Sequence, residues 1–310
     1  MVEDCDHNIT AFVFEGLTDV TNLNSPLFLL FLFTYLLIIV GNGTIFLVIL
    51  FDSHLHTPMY IYLMNLAAID IITTLNIIPK LLHMLLTQYS RILFSECIAQ
   101  MYIFSSLIST EILLLAAMAY DRYLAICHPL HYICRMTLRK CVGLSFTSWT
   151  IGFSDTIGHA VLISKMSFSS SHHIDHFFCD FSPLLKISCS DTSLVEILNY
   201  IEGAIIGFLT FLLITVSYVF IICTILRIKS SKGRKKAFST CSSHLICVVV
   251  FFGTIMCLHM KPTSDRYSKQ DKFFALVYVV FVPFANPFIY SLKNKDVKQV
   301  FLKLWNFSKC

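Results

Sequence analysis

From Pro26 to Leu50 the chain runs for 25 residues without a single charged side chain. A helix rises ~1.5 Å per residue, so roughly 20 such residues cross the ~30 Å hydrocarbon core of a bilayer. Six more segments meet the same requirement, giving candidate spans at 25–50, 58–79, 98–120, 141–163, 197–226, 237–259 and 272–292. The fourth is the weakest, because Asp155 and His159 interrupt it. Lipid offers the backbone no hydrogen-bond partner, so a spanning segment of this length must be a helix that satisfies itself. The expected fold is therefore all-α, a bundle of seven transmembrane helices. Composition agrees: 14% of residues are charged, against about 25% in soluble domains, and mean hydropathy is +0.73.

Orientation follows from where Lys and Arg fall. With the N-terminus outside, the segments 51–57, 121–140, 227–236 and 293–310 are cytoplasmic and hold 15 of the 23 basic residues. The first 24 residues have none and carry five acids. The start of the chain lacks the basic and apolar blocks of a cleavable signal, so the first span is expected to drive insertion. Three parts result: an exterior tail (1–24), a seven-span domain (25–292) and a cytoplasmic tail (293–310). Residues Asp296 to Trp305 of that last part read as a short amphipathic helix.

Several function classes fit poorly. No repeat of two halves with matching broken helices suggests a transporter, and no filter loop or charged ring suggests a channel. A membrane enzyme would need nucleophile, base and metal ligands converging near one face, whereas the Ser, His and Asp residues are scattered in depth. No basic stripe points to nucleic acid.

Four strings then carry an identification. LHTPMYIYLMNLAAID (55–70) opens the second span and MAYDRYLAICHPLHY (118–132) closes the third. KAFSTCSSHL (236–245) opens the sixth, and PFANPFIYSLKN (283–294) closes the seventh. In this order they resemble the signatures of olfactory receptors, rhodopsin-like G-protein-coupled receptors, and the short tail and loops resemble the tetrapod-type branch. The resemblance implies a plasma-membrane odorant receptor that is not an enzyme and requires no cofactor. It implies as partners a small odorant, the lipid bilayer and a heterotrimeric G protein of the olfactory stimulatory type, which raises cyclic AMP.

Residue roles follow from the same resemblance. Asp121-Arg122-Tyr123 looks like the DRY switch, with Arg122 held by Asp121 at rest and released to the G protein on activation. Tyr218 and Tyr290, the latter within Asn286-Pro287-Phe288-Ile289-Tyr290, look like its partner tyrosines. By position alone Arg122 could equally be an interfacial side chain reaching for water. Asp70 and Glu111 lie about 18 Å and 14 Å from the cytoplasmic end by helical rise. A carboxylate costs at least ~2.5–3.5 kcal/mol at the bilayer centre, so both must face the bundle, where Asn42 and Asn286 could donate to them. The bland reading is a structural network of protonated acids; the functional one is a Na⁺ ion held between the two.

The exterior loops carry further expectations. The resemblance implies a Cys97–Cys179 disulfide. It also shows a departure, because Ser169 stands where a loop cysteine is usual. Cys189 is then expected to be unpaired, with a bridge to Cys5 in the tail as the unforced alternative. His172, His173 and His176 either make ordinary loop contacts or bind Cu or Zn. Asn8-Ile9-Thr10 fits the glycosylation sequon at Asn8.

Helical spacing puts Met101, Phe104, Ser105, Ile108 and Ser109 on one stripe of the third span, and Phe252, Met256 and His259 on one of the sixth. These are the expected pocket residues, toward the exterior side of Glu111. They describe an apolar cavity with two hydroxyls, an imidazole and no fixed charge, suited to ketones, esters or alcohols. An amine receptor would want an acid between Met101 and Ser109, and none is there. Asp155, His159 and Glu202 are costly inside spans four and five and serve either structure or the pocket.

Overall fold

In a computed structural model of the chain, residues 5–6, 9–17, 23–259 and 269–293 are described. The first three spans are unbroken helices, Asn24–Phe51, Pro58–Thr87 and Phe94–Cys127. The fourth is Leu138–Asp155 continued by Ile157–Ile163. The fifth runs Ser193–Glu202, a π-helical turn Gly203–Phe208, then Leu209–Leu226. The sixth is Ser231–His259. The seventh is Lys269–Leu276, a second π turn Val277–Phe281, and Val282–Lys293. Among the described residues, four of these segments are long and apolar enough by themselves to cross a membrane. The others fall short because they are interrupted or start in a charged stretch.

Every helix outruns its apolar segment. Hydropathy marks only the part that lipid must cover, while the backbone ladder continues into the polar layers. The second span shows this best, since it was expected to stop at Pro79 and runs on to Thr87. Proline removes one ladder bond without ending a membrane helix, because neighbours re-satisfy the freed carbonyl.

The distribution of side chains is that of a membrane bundle. Leu29, Leu30, Phe33 and Phe51 on the first span and Ile205, Phe208, Leu213 and Phe220 on the fifth are exposed, while Asn42, Asp70, Thr74, Glu111 and Asn286 are buried. A soluble protein does the reverse. Spans three and four approach closely at Gly152. A Cβ there would sit against Thr110 Oγ1 and 2.8 Å from both Ser106 O and Thr110 N. Tyr102 Oη donates to Phe153 O at 2.9 Å across the same contact, and the Ser106 and Thr156 hydroxyls bond to one another.

A small sheet covers one end of the bundle. Strand β2 (Ala11–Phe14) lies between β3 (Arg91–Leu93), antiparallel, and β5 (His173–Ile174), parallel. Strand β1 (Cys5–Asp6) pairs antiparallel with β4 (Phe168–Ser169). The N-terminal stretch expected as an exterior tail pairs with the loops through these strands. Phe12 and Phe14 anchor it, buried in a cluster with Met84, Ile92, Met101, Phe168 and Leu184. The proposed helix at 296–305 lies outside the described residues.

Candidate functional site

At the end opposite the sheet, Arg122 Nη2 lies 2.9 Å from Asp121 Oδ2. The other Asp121 oxygen accepts from Tyr132 Oη at 2.8 Å. Tyr132 closes the string that carried the motif, so the signal for it was present and went unassigned. Arg122 is 9% exposed, so its charge needs this partner. The Tyr218 hydroxyl bonds His244 Nδ1 at 2.6 Å, within the field of the Arg122 charge. His244 sits in KAFSTCSSHL and was likewise unassigned. The Tyr290 side chain lies outside the described residues.

In mid-bundle the two acids find separate donors. Asn286 Nδ2 donates to both Asp70 oxygens, at 2.9 and 3.3 Å. Tyr278 Oη donates to Glu111 Oε2 at 2.9 Å, from the π turn of the seventh span. Asn42, expected beside the acids, instead donates to Pro283 O at 3.0 Å. The reason is Pro287: with no N–H it leaves the carbonyl four residues earlier without a helical donor, and Asn42 supplies one. Gly41 permits this approach, since a Cβ there would come within 3.2 Å of the Pro287 ring. One turn beyond Asp70, Thr73 Oγ1 is buried with no hydrogen-bond partner. The two carboxyls and this hydroxyl offer oxygen, the ligand type a hard cation takes.

On the sheet side of Glu111, Met101, Phe104, Ser105 and Ser109 are buried and Ile108 is half-buried. Phe104 packs edge-on against Phe178 of the loop and Tyr278 of the seventh span, with centroids 4.9 and 5.6 Å apart. Phe252 is buried against Phe211. Met256 corrects the expected stripe: it is 43% exposed. Four residues advance a helix by about 400°, and since Phe252 already lies at the edge of the inward face centred on buried Val248 and Phe251, the extra turn of about 40° carries Met256 outward. The His259 side chain lies outside the described residues. Nor is the stripe free of ionisable side chains. Glu202, from the fifth span, accepts from Ser109 Oγ at 2.8 Å, and spacing along a single helix could not reveal that approach.

The loop is pinned by two disulfides. Cys97 and Cys179 are joined with Cα atoms 5.4 Å apart, and Gln100 Oε1 accepts from Cys179 N at 2.8 Å. Cys189 is not unpaired: it is joined to Cys5, Cα to Cα 6.2 Å. The cause is register. Cys5 lies directly across from Ser169 in the β1–β4 pair, so the tail cysteine arrives beside the position where the loop cysteine is missing. The three loop histidines do not converge. His176 is buried and stacked on Phe177, and His173 is exposed. Burial, with Lys272 adding to it, pushes the His176 ring down to about 3, so it stays neutral. Among the described residues no group of three His, Cys, Asp or Glu is placed to hold a metal. Lys272 ion-pairs with Asp175 and donates to Gly16 O at 3.0 Å, tying the seventh span to both loop and N-terminal strand. Asn8 lies outside the described residues.

A bundle of apolar helices with a disulfide-pinned cap, buried mid-bundle acids and an Asp–Arg pair at the opposite end defines the class: a seven-transmembrane receptor of the G-protein-coupled type, not an enzyme. Residues 31–307 match the family model for olfactory receptors. The chain is 43% identical over 298 residues to olfactory receptor 5B21 of Mus musculus, covering 96% of this chain and 93% of that one. It is 44% identical over 296 residues to olfactory receptor 5AR1 of Mus musculus, covering 96% of each. With olfactory receptor 5M11 of Homo sapiens it shares 44% over 291 residues, 94% of this chain and 95% of the other. The chain belongs to the olfactory receptor family.

Proposed function

We propose that this receptor sits in the plasma membrane with its sheet-capped end outside. There it binds a small, mostly apolar organic molecule and activates a heterotrimeric G protein of the olfactory stimulatory type, raising cyclic AMP. The observation that carries this reading is the buried Arg122–Asp121 pair, 2.9 Å apart. A guanidinium so held is silent, and becomes a contact for a partner only when the third and sixth spans part. The ligand would lie among Met101, Phe104, Ser105, Ile108, Ser109 and Phe252, on the same side as the disulfides, with His259 as a candidate polar contact. Asp70 and Glu111 would hold Na⁺ with help from Thr73, and collapse of that site on activation would link the ligand to Arg122. The amphipathic segment at 296–305 would lie on the cytoplasmic bilayer surface, and Asn8 would carry glycan outside.

A ligand of ten heavy atoms at about −0.5 kcal/mol per atom gains roughly −5 kcal/mol, a dissociation constant on the order of 0.1–1 mM, or micromolar with excellent fit. The test is a panel of odorants on cells expressing the chain with a cyclic AMP reporter. A saturable rise absent from mock-transfected cells is expected; solute uptake into liposomes without any such rise would overturn the reading in favour of a transporter.

A further inference from the structure

Where spans three, four and five meet on the sheet side, the helices are irregular in two places at once. The fourth span breaks at Thr156, between Leu138–Asp155 and Ile157–Ile163. The fifth turns π-helical at Gly203, immediately after Glu202. Single π turns occur mostly at functional sites. Both irregularities aim polar side chains into one place, next to the pocket stripe. Glu202 Oε1 accepts from Ser109 Oγ, and the Asp155 carboxyl lies beside that of Glu202. The His159 ring, 3% exposed, points at the same acid, with Nε2 3.7 Å from Glu202 Oε2, beyond hydrogen-bond length. The Phe181 ring covers His159 from the loop side, centroids 5.0 Å apart.

What this cluster lacks is hydrogen-bond donors. Asp155 Oδ2, Glu202 Oε2 and both His159 ring nitrogens are buried without a well-formed hydrogen bond; the two carboxyls contact one another, and the His159 ring reaches only the backbone of Asp155 on its own span. Such groups are costly to leave unsatisfied in a membrane interior. A metal ion is one answer, but among the described residues the side chains are not placed to ligate one. A primary ammonium is the better match. It brings three N–H donors and one positive charge to a pair of carboxyls and an imidazole that offer three acceptors, and its charge favours the ionised form of the acids it meets.

We propose that Glu202, Asp155 and His159 form the polar end of the ligand site and select a protonated primary amine, whose hydrocarbon part lies along Ser105, Phe104 and Phe252. The acid that an amine site needs is missing from Met101–Ser109 of the third span and reaches Ser109 from the fifth. The amine arrives protonated and keeps its proton, so binding is by charge-assisted hydrogen bonds alone. This rests on the odorant-receptor reading above and narrows its ligand class.

The test matches linear and phenyl-bearing primary amines with alcohols of the same skeletons, on cells with the cyclic AMP reporter and on purified protein by thermal shift. Amines should act at about tenfold lower concentration or better than their alcohols. Glu202→Gln should remove that preference, bringing amine and alcohol potencies together, and Glu202→Asp should restore part of it. Surface labelling identifies a variant that fails to fold; Asp155→Asn then serves as the second probe. Alcohols and amines equal in potency, or amine potency unchanged in Glu202→Gln at normal surface level, would overturn the proposal and leave the receptor reading standing. Amine-induced thermal shifts lost in Glu202→Gln, without any cyclic AMP response, would support the site and count against the receptor reading.

Discussion

Replacing Gly152 by alanine should push the third and fourth spans apart. The added Cβ would sit 2.8 Å from Ser106 O and Thr110 N. Ordinary contact starts near 3.4 Å, so the two helix backbones must separate by about 0.6 Å, the difference of those two distances. Neither obstacle is the free end of a side chain, so rotamer changes cannot relieve it. Overpacking of this kind costs roughly 1–3 kcal/mol. The shift also strains the Tyr102–Phe153 and Ser106–Thr156 bonds, each contributing about 0.5–1.5 kcal/mol. A total on the order of 2–4 kcal/mol follows if one of the two bonds is lost. Thermal unfolding in detergent, followed by a thiol-reactive dye on buried Cys141 and Cys247, should show a drop of several degrees. Gly143→Ala, where a Cβ meets nothing within 4 Å, should show no drop. Equal melting temperatures for Gly152→Ala and the parent would refute the close approach and, with it, the placement of Asp155 and His159 beside the third span.

Three further outcomes are expected. Asp70→Asn or Glu111→Gln should abolish any Na⁺ dependence of thermal stability by removing one carboxylate; persistence of that dependence in both variants would remove the cation from the account. Mass mapping without reduction should join Cys5 to Cys189, and Cys5→Ser should expose a Cys189 thiol to an impermeant reagent, while a Cys97–Cys189 or Cys179–Cys189 peptide would refute the pairing. Burial alone would raise the Asp175 carboxyl, but Lys272, with help from Glu15 and Lys186, outweighs it and holds it below its usual 3.8; its stabilising effect is therefore present above that pH and lost as pH falls. Lys272→Ala should raise hydrogen exchange in 173–178 at neutral pH and change little in acid, and the opposite pH dependence would show the sign to be wrong.

The seven spans were legible because lipid imposes one rule on every residue of a crossing helix, and a linear count of apolar residues detects it. The motif ends were legible for a different reason: Asp121, Arg122 and Pro287 each occupy a fixed place in a local string. What stayed hidden depended on two segments meeting. Nothing in the spacing of Asn42 says that it will serve the carbonyl stranded by Pro287. The acid missing from Met101–Ser109 came from the fifth span, turned inward where the helix widens after Glu202. The fate of Cys189 likewise depended on strand register, since Cys5 reaches it only because β1 pairs with β4 opposite Ser169. Met256 failed for a local reason, as a four-residue step rotated it past the edge of the inward face.

Agonist-evoked nucleotide exchange, measured on purified receptor reconstituted with the stimulatory G protein, tests the central claim most directly when the parent is compared with Arg122→Ala. The account predicts that an odorant active in the cellular panel accelerates exchange in the parent, and that Arg122→Ala loses this acceleration while still binding the odorant by thermal shift. Full acceleration in Arg122→Ala, or none in the parent with the odorant demonstrably bound, would contradict it.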